Sequence, residues 1–287
     1  MTSFQKGIKY AAIVFGIFIC INIFAVIFGV FTALFGVAGF FGNRTTVTTQ
    51  EVNEARMDFS ETYDGVTELK LDLDLSSLEI RKSDQYKVEA YQITTDFESK
   101  KEGSTLVVKD HGNKKINWGN HKIVSKVIIY LPEQELDKLY IETGIGEATI
   151  EKIQTKKLEL IMGVGTIQIQ EIEADKAKIS GGAGKTVIEN AIFHDLDLDC
   201  GVGNMEIRGH LYGKSDIDCG VGRFQLQLLG QKGEYKIKAK TGIGRLAIND
   251  IQVKDDSVYG TGSNEIEING GVGNTEINLV EDPTKEF

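Results

Sequence analysis

The sequence predicts an all-β fold, a right-handed parallel β-solenoid of about 19 residues per coil, behind one N-terminal transmembrane helix. Two observations predict it. The first is the motif Gly-(Ile/Val/Ala)-Gly, which occurs seven times and whose first five copies are evenly spaced, beginning at Gly144, Gly163, Gly182, Gly201 and Gly220. A fixed short period of this kind is typical of repeat proteins whose units stack on one another. The second observation is a long apolar segment near the N-terminus.

The apolar segment, residues 11–41, contains only Asn22 and Thr32 as polar side chains. It exceeds the roughly 20 residues that a membrane helix needs and the 7–15 of a signal-peptide core. We therefore predict a short cytoplasmic N-terminus (1–10), an uncleaved anchor (11–41) and a polar stalk (43–58). The slight excess of positive charge before the anchor favours an N-terminus inside and the following domain outside.

A stripe of small residues runs along the predicted anchor at Ala25, Gly29 and Ala33. Small residues at this spacing let two membrane helices approach closely. A homodimer through the anchor is therefore one open alternative for the oligomeric state.

Residues 59–138 are predicted to form irregular N-terminal coils and a cap. Apolar residues alternate from Leu69 to Ile80, and Asp74 and Ser76 stand where the later copies have their two glycines. The strand candidates that follow are less regular. A cap is expected because an open solenoid end would expose both strand edges and core.

Residues 139–280 are predicted to be the regular repeats, followed by a charged tail at 281–287. We number each copy from its first glycine as position zero. Aliphatic residues fill position +6, namely Ile150, Ile169, Ile188, Ile207, Leu226, Ile248 and Ile277. Apolar residues likewise fill positions −3 and +1, and the alternation around them is that of strands with one buried face. The glycines then form corners, and the parallel crossovers predict the right-handed sense.

The last two steps of the repeat are longer than the earlier ones. They insert residues 233–234 and 255–262 into the regular pattern. Insertions in repeat proteins usually emerge as loops on one face. We therefore expect loops here and a contact site near the last two copies.

Charge and cysteine content limit the functional classes. The net charge of −10 argues against nucleic-acid partners, because binding to phosphates requires basic patches. Cys200 and Cys219 each stand directly before the first glycine of their copies, so they are expected to stack in adjacent coils as buried free thiols. A disulfide between them would need unusual geometry for stacked parallel strands.

Four carboxylates form the only candidate constellation, and we call them the acidic quartet: Asp197, Asp199, Asp216 and Asp218. They are expected to face outward on adjacent coils that stack in chain order, with Lys178 below them and Lys238 and Lys240 above them in the same columns. A solvated charge ladder is the main interpretation, and a weak divalent-cation site and catalytic acids stay open.

No other motif predicts chemistry. The phosphate-loop pattern fails at Ile179, and the calcium-binding repeat fails at Thr275. We therefore predict no catalytic, cofactor-binding or metal-binding residues, no cofactor and no enzymatic activity.

The runs Ile129-Tyr-Leu-Pro132 and Leu139-Tyr-Ile-Glu-Thr-Gly144, with each later strand–glycine corner–strand copy, resemble the bacterial putative-adhesin family. This is a membrane-anchored, glycine-cornered β-solenoid domain of unknown function. The resemblance covers about residues 60–280. It implies a β-solenoid on the outer face of the cell membrane and supplies no catalytic residues.

Three functional hypotheses follow. The first is a non-enzymatic, single-pass cell-envelope protein that presents an adhesin-like surface outside the membrane to a cell-wall polymer or another membrane protein. The second is a regulatory partner of an envelope-stress signalling system. The third is a polysaccharide-acting solenoid enzyme that uses the acidic quartet.

Overall fold

The computed structural model describes residues 56–111 and 125–281. The predicted N-terminus (1–10), the anchor (11–41), most of the stalk (43–58) and the tail after residue 281 lie outside these ranges. Within the two ranges, no helix has the length and apolarity needed to cross a membrane.

Apart from one 3-10 turn at Lys232–Glu234, the regular elements of these two ranges are β-strands. In chain order they are β1 (Met57–Tyr63), β2 (Glu68–Leu73), β3 (Ser76–Lys82), β4 (Tyr86–Ile93), β5 (Phe97–Glu102), β6 (Thr105–Asp110), β7 (Ser125–Leu131), β8 (Lys138–Ser180), β9 (Ala183–Asp199), β10 (Val202–Asp218), β11 (Val221–Leu229), β12 (Tyr235–Lys240), β13 (Ile243–Ile248), β14 (Ile251–Gln252), β15 (Ser257–Tyr259), β16 (Asn264–Asn269) and β17 (Val272–Val280). β1 begins at Met57, so its first two residues belong to the segment predicted to be the stalk. The all-β prediction is confirmed for the described ranges.

The central strands pair in parallel at the predicted spacing. Ile188 lies beside Ile169 in β8, one repeat earlier, and beside Ile207 in β10, one repeat later. The side chains at position +6 are at most 2% exposed. The alternating pattern therefore places one aliphatic residue of each coil above the next, and these columns form the core.

The last two copies do not stack in chain order, so the expectation of sequential stacking is wrong at this end. β11 pairs with β17, and β17 pairs with β13. β10 likewise pairs with β16, which pairs with β12. The seventh copy thus lies between the fifth and the sixth.

The N-terminal end shows the same exchange. β2 lies between β6 and β8, and β3 lies between β7 and β8. The coil that comes first in the chain is therefore the second layer of the stack, and the residues after it return to the outer layer. Asp74 and Ser76 stack against Gly144 and Gly146, which confirms that they replace the two glycines.

Antiparallel strands cover the outer layers. β4 and β5 pair with β7 and β6 at one end, while β14 and β15 pair with β13 and β12 at the other. The insertion at 255–262, predicted to be a loop, therefore contributes strand β15 to this cover. The physical reason is that an end layer without a pairing partner would expose a row of backbone hydrogen-bonding groups.

A buried polar cluster takes the place of the glycine corner at the N-terminal end. Asp110 is 1% exposed, and its Oδ2 accepts hydrogen bonds from the hydroxyls of Ser76 (2.7 Å) and Ser125 (2.5 Å). The two serine oxygens lie 3.0 Å apart, so the three side chains form one cluster. These bonds offset the cost of burying the polar side chain of Asp110. Serine at positions 76 and 125 therefore supplies the hydrogen-bond donors that Asp110 needs.

Candidate functional site

The glycine corner, formed by positions 0 to +2 of each copy, is the most uniform feature of the stack. A Cβ atom added to Gly182 would lie 1.8 Å from the carbonyl oxygen of Gly163 in the layer below. Gly203 has a φ of 133°, which side chains rarely adopt. Close backbone approach therefore requires glycine on both sides of the middle residue and leaves that residue at the surface.

The middle residues form a continuous exposed row that we call the apolar column. Their exposed fractions range from 48% at Val272 to 75% at Ile243 for the large side chains, and Ala183 is exposed as well. In the order of the layers the apolar column comprises Ile145, Val164, Ala183, Val202, Val221, Val272 and Ile243. Contiguous exposed apolar rows of this length are rare on monomeric proteins and mark interaction sites.

With the exception of Ile161, the residues that flank the apolar column on both sides are polar, and their charge changes along it. At the end near the N-terminal cap, Glu142 and Glu147 stand on either side of Ile145. At the opposite end, Lys240 and Arg245 stand on either side of Ile243. The apolar column therefore runs from an acidic end to a basic end.

The apolar middle residues are apparent in the sequence, but their exposure is not. The alternation that buries Met205 and Ile207 in β10 places Val202 on the outer side when it is continued back to the start of the strand. This alternation was the sequence pattern from which the exposure of Val202 could have been predicted. It is obscured because the corner changes which positions face inward between the two strands that it joins.

Two thiols lie at the glycine corner next to the apolar column. Cys200 and Cys219 are both free, as predicted, but they are half-buried where the sequence predicted buried thiols. A hydrogen bond with Cys200 lowers the pKa of Cys219, and a bond with Thr275 acts in the same direction. The pKa of Cys200 is raised, first by its bond with Cys219 and then by burial. The two thiols therefore interact and titrate as a pair.

The acidic quartet lies where the sequence predicted. Asp197 is in register with Asp216, and Asp199 with Asp218. All four side chains are exposed. Lys178 lies in register below Asp197, with its Nζ 3.8 Å from Asp197 Oδ2. The outward orientation and the lysine below are therefore confirmed.

The prediction for the layer above the quartet is wrong. Glu267 and Asn269 lie there, and Lys238 and Lys240 lie one layer further, because the last two copies are exchanged. Asn269 donates to Asp218 Oδ1 (2.8 Å), and Lys240 pairs with Glu267 (2.5 Å). These partners favour a solvated charge ladder.

A different group has the geometry for a cation. Among the residues of 56–111 and 125–281, Asp72, Asp74 and His111 bring three candidate ligand atoms within 4.8 Å of one another. His111 Nδ1 lies 3.6 Å from Asp74 Oδ2, and its Nε2 lies 4.0 Å from Asp72 Oδ2. The three half-buried side chains are therefore neighbours at the surface of the first two layers.

The chain matches the Toastrack DUF4097 family over residues 66–277, a range that reaches from the start of the first stacked coil into β17. No curated protein matches the chain.

Several solved structures resemble the chain. A putative cell adhesion protein from Clostridium sporogenes is 18% identical, with a TM-score of 0.37 over 79% of this chain and 100% of the other. A putative adhesin from Bacteroides fragilis is 15% identical, with a TM-score of 0.44 over 78% and 98%. A putative adhesin from Parabacteroides distasonis is 14% identical, with a TM-score of 0.38 over 79% and 98%.

Proposed function

We propose that this chain, which belongs to the Toastrack DUF4097 family, is a non-enzymatic cell-envelope protein that presents a β-solenoid interaction surface outside the membrane. In this proposal the solenoid is right-handed, and residues 11–41 anchor it with the N-terminus inside. The domain is adhesin-like, as the sequence resemblance to the putative-adhesin family implies. It recognises a cell-wall polymer or another membrane protein.

The apolar column is the observation that carries the proposal. Six of its seven members are large apolar side chains between 48% and 75% exposed. Exposing apolar area to water is unfavourable, at about 25 cal/mol per Å². A row that repeats this cost in every layer is best explained by a surface that is covered when the protein acts.

The polar faces support a binding role more than a catalytic one. Asp197 is in contact with Lys178 and Asp218 with Asn269, and all four side chains of the acidic quartet are open to solvent. General acid catalysis by a carboxyl group relies on a pKa raised by burial or by a like charge. The quartet is better suited to keeping the envelope surface charged and hydrated.

A binding assay with intact cells tests the proposal. Cells displaying the full chain are compared with cells displaying Val164→Ser, Val202→Ser and Val272→Ser combined, for retention on purified cell-wall polymer and on cells of the same kind. We expect retention to fall about tenfold, because loss of buried apolar contact lowers affinity by about a factor of ten for each 1.4 kcal/mol.

Two matched variants control the assay. Ile251→Ser removes an exposed apolar side chain (69% exposed) outside the apolar column and should leave retention unchanged. Changing Asp197 and Asp216, the two members of the acidic quartet that do not flank the apolar column, to Asn should also leave it unchanged. Equal retention by the column variant would contradict the proposal, and loss of polymer cleavage in the Asn variant would indicate the enzymatic alternative.

A further inference from the structure

We propose that the apolar column binds a second copy of the same chain, packed antiparallel about a two-fold axis at Val202. The inference rests on the proposed function, because it names the occupant of that interaction surface. Three features carry it: the order of residues along the column, the charges at its ends, and the size of the face.

The order of the apolar column is nearly the same in both directions. The outermost exposed member at each end is an isoleucine, Ile145 and Ile243, with Val202 in the middle layer; the half-buried Leu75 continues the row one layer beyond Ile145. Antiparallel packing would place Ile145 against Ile243 of the second copy, and Val164 against Val272 of the second copy. Only the third layer from each end, with Ala183 against Val221 of the second copy, joins side chains of different size. An isologous contact requires this self-complementarity.

The charges at the ends are complementary in the antiparallel arrangement. Glu147 would meet Arg245 of the second copy, and Glu142 would meet Lys240 of the second copy. The two-fold axis repeats each pair, so opposite charges meet at both ends of the contact. The side chains of Glu147 and Arg245 are exposed, and the Arg245 guanidinium donates a hydrogen bond to the backbone oxygen of Asp250 (3.2 Å), which leaves its charge available to a carboxylate.

The parallel arrangement has the opposite consequence at the ends. It would place Glu142 beside Glu147 of the second copy, and Lys240 beside Arg245 of the second copy, so that like charges meet at both ends. Its favourable contact is Asp218 with Arg223 of the second copy. Like charges in contact disfavour this alternative.

The antiparallel contact has some like charges nearer its centre. Lys185 would face Arg223 of the second copy, and Asp199 would face its own counterpart. The lysine and arginine side chains are long enough to turn their charges toward solvent while their stems stay on the apolar surface. The opposite charges at the ends therefore decide the direction of packing.

The size of the face predicts a weak dimer. Seven layers spaced about 4.8 Å apart make a column about 29 Å long. With its flanking rows it would cover about 600 Å² on each copy, near the lower limit for specific complexes. We therefore expect a dissociation constant in the micromolar range, a strength suited to contacts made by many copies on a surface.

Charge reversal tests the proposal directly. The full chain in detergent micelles is followed by sedimentation equilibrium over protein concentrations from about 1 μM to 1 mM. We expect Glu147→Arg alone and Arg245→Glu alone each to weaken association about tenfold, because two favourable pairs become repulsive. The two changes combined should restore association to within about twofold of the native chain, since the reversed charges again meet.

Two further variants test whether the apolar column is the contact surface. Val202→Ser should weaken association, whereas Ile251→Ser should not. Absence of association up to 1 mM overturns the proposal, and so does association that is indifferent to Val202→Ser. Failure of the combined reversal to restore association overturns the antiparallel arrangement.

The same variants separate this proposal from the function on which it rests. Glu147→Arg should reduce the retention of displaying cells on one another and leave retention on cell-wall polymer unchanged. If the chain does not self-associate but cell retention still depends on the apolar column, the proposed function stands and a second copy is excluded as the occupant of the column. A column variant that changes neither property would contradict both.

Discussion

The Ile207→Asp variant should lack the folded β-structure at 37 °C. Ile207 is 1% exposed and lies between Ile188 and Leu226 in the central layers of the stack. A carboxylate at this position would lose its hydration. The aliphatic side chains around it offer neither a cation nor a hydrogen-bond donor in return. The expected cost is on the order of 5 kcal/mol or more, comparable to the whole stability of a typical domain.

Thermal unfolding followed by circular dichroism measures this effect. Ile251→Asp is the matched control, because Ile251 is 69% exposed and the new carboxylate stays in water. The control should unfold within a few degrees of the native chain. A cooperative transition of unchanged midpoint in Ile207→Asp would show that the aliphatic column at position +6 is not the core.

The second large effect is expected from one methyl group at the glycine corner. In Gly182→Ala the new Cβ would lie 1.8 Å from the carbonyl oxygen of Gly163 and 2.1 Å from that of Met162. Both atoms belong to the backbone, so the layers must separate to admit the methyl group. We expect a loss of about 3 kcal/mol or more, seen as a fall in Tm of about 10 °C for a domain of this size.

Gly233→Ala provides the control for this prediction. A Cβ atom at Gly233 would meet nothing within 4 Å, so the same substitution should change the Tm by no more than about 2 °C. Similar losses in the two variants would mean that the layers at the corner are not in close backbone contact.

The regular part of the fold could be predicted because each layer repeats the same physical requirements. The even spacing of the copies, the buried aliphatic residues such as Ile188, and the glycines at close backbone contacts all follow from local alternation and sterics. The exchanged order of the last two copies has no such local signal. Both orders satisfy the same columns, so the alternation of side chains does not choose between them.

The candidate site was harder to predict than the fold. The apolar middle residues were visible in the sequence, but whether Val202 points inward depends on how the corner turns. The acidic quartet was placed correctly, and its upper neighbours were not, because Glu267 reaches that layer only through the exchanged order. The contact of His111 with Asp72 and Asp74 joins residues from two different layers, so the spacing of these residues in the sequence does not predict it.

The continuity of the apolar column depends on the seventh copy lying between the fifth and the sixth. Methyl-selective NMR of the full chain in micelles tests it without any substitution. We expect strong nuclear Overhauser effects between the methyl groups of Val221 and Val272, which lie in adjacent layers about 4.8 Å apart. We expect a similar effect between Val272 and Ile243, and none between Val221 and Ile243, which are two layers apart. A direct effect between Val221 and Ile243, with none from Val221 to Val272, would contradict this order of the copies.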